Sequence, residues 1–196
     1  MLRRDIEFLY EIGTLRNVER TWRQVLGPGV ATVLDHTVRT VFLALLLARM
    51  EGEKDEARVM KMALAHDLTE ARTGDTNAVH AVYTTRDELK AAKDLFADTL
   101  FQDFSSEILR EYKERKSCVS RIVKDADNLD VELELLELAA RGSDTARKMR
   151  KTRRARLLKA LYTKSAKKLL REFPRVVSAS WFLSSNKWVK IKDAGK

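Results

Sequence analysis

At 196 residues the chain has room for one domain with a real core but is short for two. Its single cysteine, Cys118, excludes an internal disulfide, and its longest apolar run, Val41 to Ala48, is too short to span a bilayer. The N-terminus lacks the apolar stretch and cleavage site of a signal peptide, so a soluble, cytoplasmic protein with no membrane partner is expected.

The formal charge of +9 is unevenly spread. Between Arg147 and Arg175 thirteen Lys or Arg face one acid, Glu172, which puts +12 in that segment and leaves −3 for the rest.

Apolar residues recur at helical spacing and there are only seven Gly and two Pro, so the fold class is all-α. Helices are predicted near 2–12, 16–26, 35–51, 54–70, 85–103, 105–116, 118–141 and 152–172. "TRDE" at 85–88 reads as a capping box from Thr85 to Glu88. Gly27-Pro28-Gly29 and Arg141-Gly142-Ser143 are the clearest breaks. The chain divides into a helical bundle over 1–145 and a basic helical extension over 146–196 packed on the same domain. Trp181, Phe182 and Trp188 are expected to fold back onto the helices.

Polar residues on apolar faces locate the chemistry. His36 shares a face with Thr40, Leu43 and Leu47, and His66-Asp67 follows the apolar positions Val59, Met60, Met62 and Ala63. Asp127 interrupts a stripe of Val123, Val131, Leu135 and Leu138. A carboxylate there costs several kcal/mol unless it is paired or binds a cation. Each residue alone has an ordinary structural reading, but two imidazoles and two carboxylates on three inward faces form a mixed N/O set for a divalent metal. His80, in a polar loop, is not expected to be a ligand.

In this order, His36, His66-Asp67 and Asp127 resemble the H…HD…D signature of the HD-domain metal-dependent phosphohydrolases. "HDLTEARTGD" (66–75), "IVKDADNLDVELEL" (122–135) and Trp22, fourteen residues before His36, are similar to the 5'-deoxynucleotidase branch of that family. Three departures stand out: Ala31 where the branch usually has Glu, "TNAVHAVY" in a loop that often carries Pro, and Arg20 two before and Arg23 one after the tryptophan, where the branch commonly has an Arg immediately before or shortly ahead of it.

The resemblance implies a single HD-type helical bundle and one divalent ion (Mn, Co, Mg, Ni, Fe or Zn) held by His36, His66, Asp67 and Asp127. It further implies hydrolysis of a deoxyribonucleoside 5'-monophosphate by a water activated on that ion, and a homodimer. Glu70 and Asp75 are the expected catalytic residues, and Trp22, Arg20 and Lys124 the expected substrate contacts. Two alternatives stay open. One is an HD phosphodiesterase acting on a cyclic or signalling nucleotide or single-stranded nucleic acid. The other is a non-catalytic module that binds nucleic acid or an acidic partner through 147–175; stacking there has little support, since only Tyr162 and Phe173 are aromatic.

Overall fold

The computed structural model describes residues 2 to 184. Its helices are α1 (Leu2–Gly13), α2 (Arg23–Leu26), α3 (Val33–Glu51), α4 (Glu56–Ala65), α5 (Glu70–Thr73), α6 (His80–Tyr83), α7 (Glu88–Phe96), α8 (Arg110–Glu114), α9 (Cys118–Ala140), α10 (Asp144–Ala160), α11 (Lys164–Glu172) and α12 (Ser180–Leu183). Among the described residues extended pairing is limited to one bridge, Glu19 to Thr32. None of these helices is long and apolar enough to cross a membrane.

Helices α3 and α9 cross at the centre, α4 packs against both, and α10 lies along α9. Leu47, Met62, Leu95, Phe96, Ile122 and Leu129 are fully buried between them, each worth roughly 2 kcal/mol. The basic segment closes this core with Leu157, Leu161, Ala166 and Leu170, all buried.

Four sequence expectations need correction, and in two of them a contact remote in sequence overrides the local pattern. The helix expected over 16–26 is a 3₁₀ turn (Thr14–Asn17), an extended stretch and the short α2, because Asp75 takes the Thr21 amide at 2.6 Å and its hydroxyl at 3.0 Å. The helix expected over 85–103 is capped by Asp87, not Thr85: its carboxylate accepts from the Lys90 amide. The helix expected over 152–172 is two helices, α10 and α11, meeting at an elbow. There the fully buried Asp125 of α9 accepts from the Tyr162 amide at 2.9 Å and from the Thr163 amide and hydroxyl at 2.8 Å each. Trp181 and Phe182 do not fold back but stand exposed; Trp188 lies outside the described residues.

Candidate metal centre

A capping box fixes the start of α3. Thr32 and Asp35 exchange side chain-to-amide bonds, which puts His36 one turn into the helix and fully buried. Its Nδ1–H donates to Asp130 Oδ2 at 2.5 Å. Asp130, also fully buried, is held in turn by Arg39, which bonds Glu137 as well. His66 ends α4, where its Nδ1–H donates to the Ala63 carbonyl at 2.7 Å. The chain tightens there, with Leu68 N on Ala65 O and Glu70 N on Asp67 O, so the expected helix 54–70 breaks at the His-Asp pair. That tighter turn lets two adjacent side chains converge.

With each Nδ1 engaged, both Nε2 atoms face inward, 3.4 Å apart. Asp67 Oδ2 lies 3.2 Å from His66 Nε2 and 3.6 Å from His36 Nε2. The ligand atoms of His36, His66 and Asp67 all fall within 4.8 Å of one another, and Asp127 Oδ1 enters on the His36 side at 3.3 Å. Facing lone pairs at this distance need a positive charge between them. A proton meets that need, and the two-nitrogen, two-carboxylate donor set suits a divalent transition ion.

The electrostatics agree. Burial disfavours the His36 proton, yet hydrogen bonds that the ring donates to Asp127 and Asp130 raise its pKa to about 9. Burial also pushes Asp67 and Asp127 up, but the imidazoles hold Asp67, and Lys124 followed by the imidazoles holds Asp127, below the usual carboxylate range. Glu70 goes the other way: burial, then the charges of Asp67 and Asp75, push it up to about 9.

Asp67 and Asp127 open into a polar cavity of about 270 Å³, also lined by Arg20, Glu70, Asp75, Arg86, Glu88, Lys113, Arg115, Lys124 and Asn128. Arg20 is buried, with Nε and Nη1 lacking any hydrogen-bond partner, although Nε lies 4.0 Å from Asp75 Oδ2. Lys124 Nζ sits 2.7 Å from Asp127 Oδ2. Glu70 Oε2 is buried and unpartnered, while its Oε1 is 3.7 Å from Arg86. Arg86 also donates to the Gly74 carbonyl at 2.6 Å and to Glu88 at 2.8 Å, closing the loop that carries Asp75. Gly74 itself has a left-handed φ of 69°, which favours glycine there.

Of the three expected substrate contacts, Arg20 and Lys124 line the cavity and Trp22 does not. It packs against Val30, Val131, Leu135 and Leu138, and the Arg20 guanidinium lies 4.6 Å from its ring centroid. Arg23 pairs with Glu19 at the surface. Sequence reasoning missed Asp130, Arg86, Lys113 and Arg115. Asp130 carried a signal, an inward acid three residues after Asp127; the other three did not.

His36 and Glu70 make stability fall with rising pH. Both pKa values are raised above their unfolded values of 6.5 and 4.5, so each contribution is complete below that value and is lost as pH climbs through about 9. Chelator-treated protein is therefore expected to melt roughly 5–10 °C lower at pH 9.5 than at pH 6. Thermal scans by circular dichroism check this, and a higher melting point at pH 9.5 would contradict the assignment.

The HD domain family model matches residues 12–174. Two curated relatives, both named 5'-deoxynucleotidase HDDC2, are similar at modest identity. The Danio rerio protein is 29% identical over 64% of this chain and 65% of its own length, and the Bos taurus protein 31% over 67% and 66%. The chain thus spans about two thirds of these relatives. Among solved structures, a conserved hypothetical protein from Pyrococcus furiosus superposes with TM-score 0.73 at 26% identity, covering 87% of this chain and 99% of that one. A predicted metal-dependent phosphohydrolase from Magnetospirillum magnetotacticum gives 0.69 at 22% identity over 89% and 91%, a likeness of fold. The chain belongs to the HD domain family.

Proposed function

We propose that this protein removes the 5'-phosphate of deoxyribonucleoside monophosphates. The observation that carries this is the charge of the cavity. Five cations (Arg20, Arg86, Lys113, Arg115 and Lys124) face four ionised carboxylates (Asp67, Asp75, Glu88 and Asp127) and Glu70, whose pKa is raised to about 9. A dianionic monoester therefore offsets a bound divalent ion in full, whereas a singly charged diester leaves a larger positive excess. The names of the relatives support the deoxynucleotide.

His36, His66, Asp67 and Asp127 would hold the ion, which acidifies water and withdraws charge from phosphoryl oxygens when bound. Arg20 offers two free N–H groups to the phosphate, with Lys124 at the opposite edge. Glu70, with its pKa raised to about 9, carries a proton at neutral pH that it can give up during the reaction. Asp75 is fixed by Thr21 and Arg20 on the leaving-group side. Trp22 supports Arg20, whose guanidinium lies over its ring.

Protein loaded with Mn or Co is expected to release phosphate from deoxynucleoside monophosphates and to turn over ribonucleotides poorly. Equal turnover of ribonucleotides defeats the deoxy selectivity. Cleavage of bis(p-nitrophenyl) phosphate without phosphate release from monoesters selects the diesterase instead.

A second copy of the chain is the proposed protein partner. Leu34, Val38, Phe42 and Leu46 run as an exposed stripe along α3, beside a cavity of about 480 Å³ lined by Val38, Phe42 and Leu138 with Asp35, Arg39, Glu137 and Arg141. Two such faces are self-complementary about a twofold axis. Sedimentation equilibrium reports the state, and a monomer at every concentration rules the dimer out. The free Cys118 suits a reducing, cytoplasmic setting.

A further inference from the structure

Helix α10 carries much of the positive charge of the chain, yet two of its arginines turn away from solvent. Arg150 reaches Glu132 Oε1 through Nε at 2.8 Å and Nη2 at 2.7 Å. Arg153, one turn on and on the same face, buries an Nη1 that has no partner. Glu132 lies fully buried within α9, and its Oε2 is also without a partner. A buried donor or acceptor left unmet costs about 1–3 kcal/mol, so such atoms are uncommon unless a ligand meets them.

Their position points to the ligand. Glu132 follows Asn128, which lines the phosphate cavity, by one helical turn, and lies five residues past Asp127. Arg20 and Trp22 approach from the other side. Trp22 packs on the cluster that α10 closes through Ala146 and Met149, and its Nε1 is another buried donor without a partner. Burial pushes the Arg153 guanidinium down while the charges of Glu132 and Asp127 oppose this, which puts Arg153 in the field of the metal-site carboxylates. Arg20, which lines the cavity, and Trp22, Glu132 and Arg153, outside its lining, thus offer three unmet donor groups and one unmet acceptor.

We propose that Glu132 and Arg153 form a nucleoside subsite, hydrogen-bonding a sugar hydroxyl or base edge of the substrate. Such a group both donates and accepts, as the pair requires. This inference rests on the monophosphatase reading. It assigns the inner face of α10 to substrate recognition, while Arg147, Lys148, Lys151 and Arg154 form its exposed face.

The test compares a deoxynucleoside monophosphate with phenyl phosphate, a monoester with neither sugar nor base. Arg153→Met is expected to raise KM for the nucleotide about 10–100-fold with kcat nearly unchanged, and to leave phenyl phosphate within about twofold. Arg153→Lys should recover part of the loss, and Arg154→Met should change neither substrate. If both substrates fall together, Arg153 is structural; if neither moves, it does not touch substrate, and either result overturns the subsite. A wild-type protein with no preference for the nucleotide over phenyl phosphate overturns the parent reading and the subsite together. A preference that survives in Arg153→Met overturns the subsite alone.

Discussion

His66→Ala protein is expected to emerge from purification without stoichiometric divalent metal and with phosphate release reduced at least a thousandfold. The imidazole contributes one of two inward Nε2 atoms, and its ring is fixed from behind by the Ala63 carbonyl and edge-on by Tyr112, with centroids 5.7 Å apart. Alanine removes the nitrogen and leaves His36 facing Asp67 and Asp127 alone. Several kcal/mol of charge stabilisation by a bound ion correspond to roughly three or more powers of ten in rate. Elemental analysis and the phosphate assay report the two losses separately. Full metal content with full activity would place the centre elsewhere.

Arg20→Met is expected to lower kcat/KM about 100–1,000-fold while metal content stays at the wild-type level. The guanidinium is buried with two N–H positions unmet. Burial pushes its pKa down, but the charges of Asp67, Asp127, Asp75 and Glu70 hold it above the ordinary value. A buried cation so placed is ready for an anion, and each charge-assisted bond to phosphate is worth roughly 1.5–3 kcal/mol. Arg20→Lys should restore the charge without the two-pronged geometry and so recover only part of the rate. Loss of metal in Arg20→Met would instead make Arg20 a support of the ligand cluster.

Much of this centre was legible in the sequence because helical periodicity is a local property. His36 and Asp127 stood out as polar residues on apolar faces of the long helices α3 and α9, and both are drawn to one point. The loop-borne parts were not legible, since their positions depend on partners far along the chain. Thr21 breaks a helical pattern because Asp75 claims it, and Arg86 reaches Gly74 and Glu70 only once α7 is docked. Trp22 shows the converse. Its distance from His36 matched the family pattern, yet in the structure the ring backs Arg20 and does not line the cavity. Ala31, a departure from that pattern, has its amide bonded by Glu134 of α9 at 2.6 Å, so the backbone there is still met by a carboxylate.

The elbow between α10 and α11 limits how the gene can be shortened. Asp125 belongs to the same helix as Asp127 and is satisfied wholly by Tyr162 and Thr163. A stop codon ahead of Thr163 would strand a carboxylate two residues from Asp127 in an oily interior. What reads as an appendage is thereby a keystone, and trimming it should take the helices that carry the His-Asp cluster down with it.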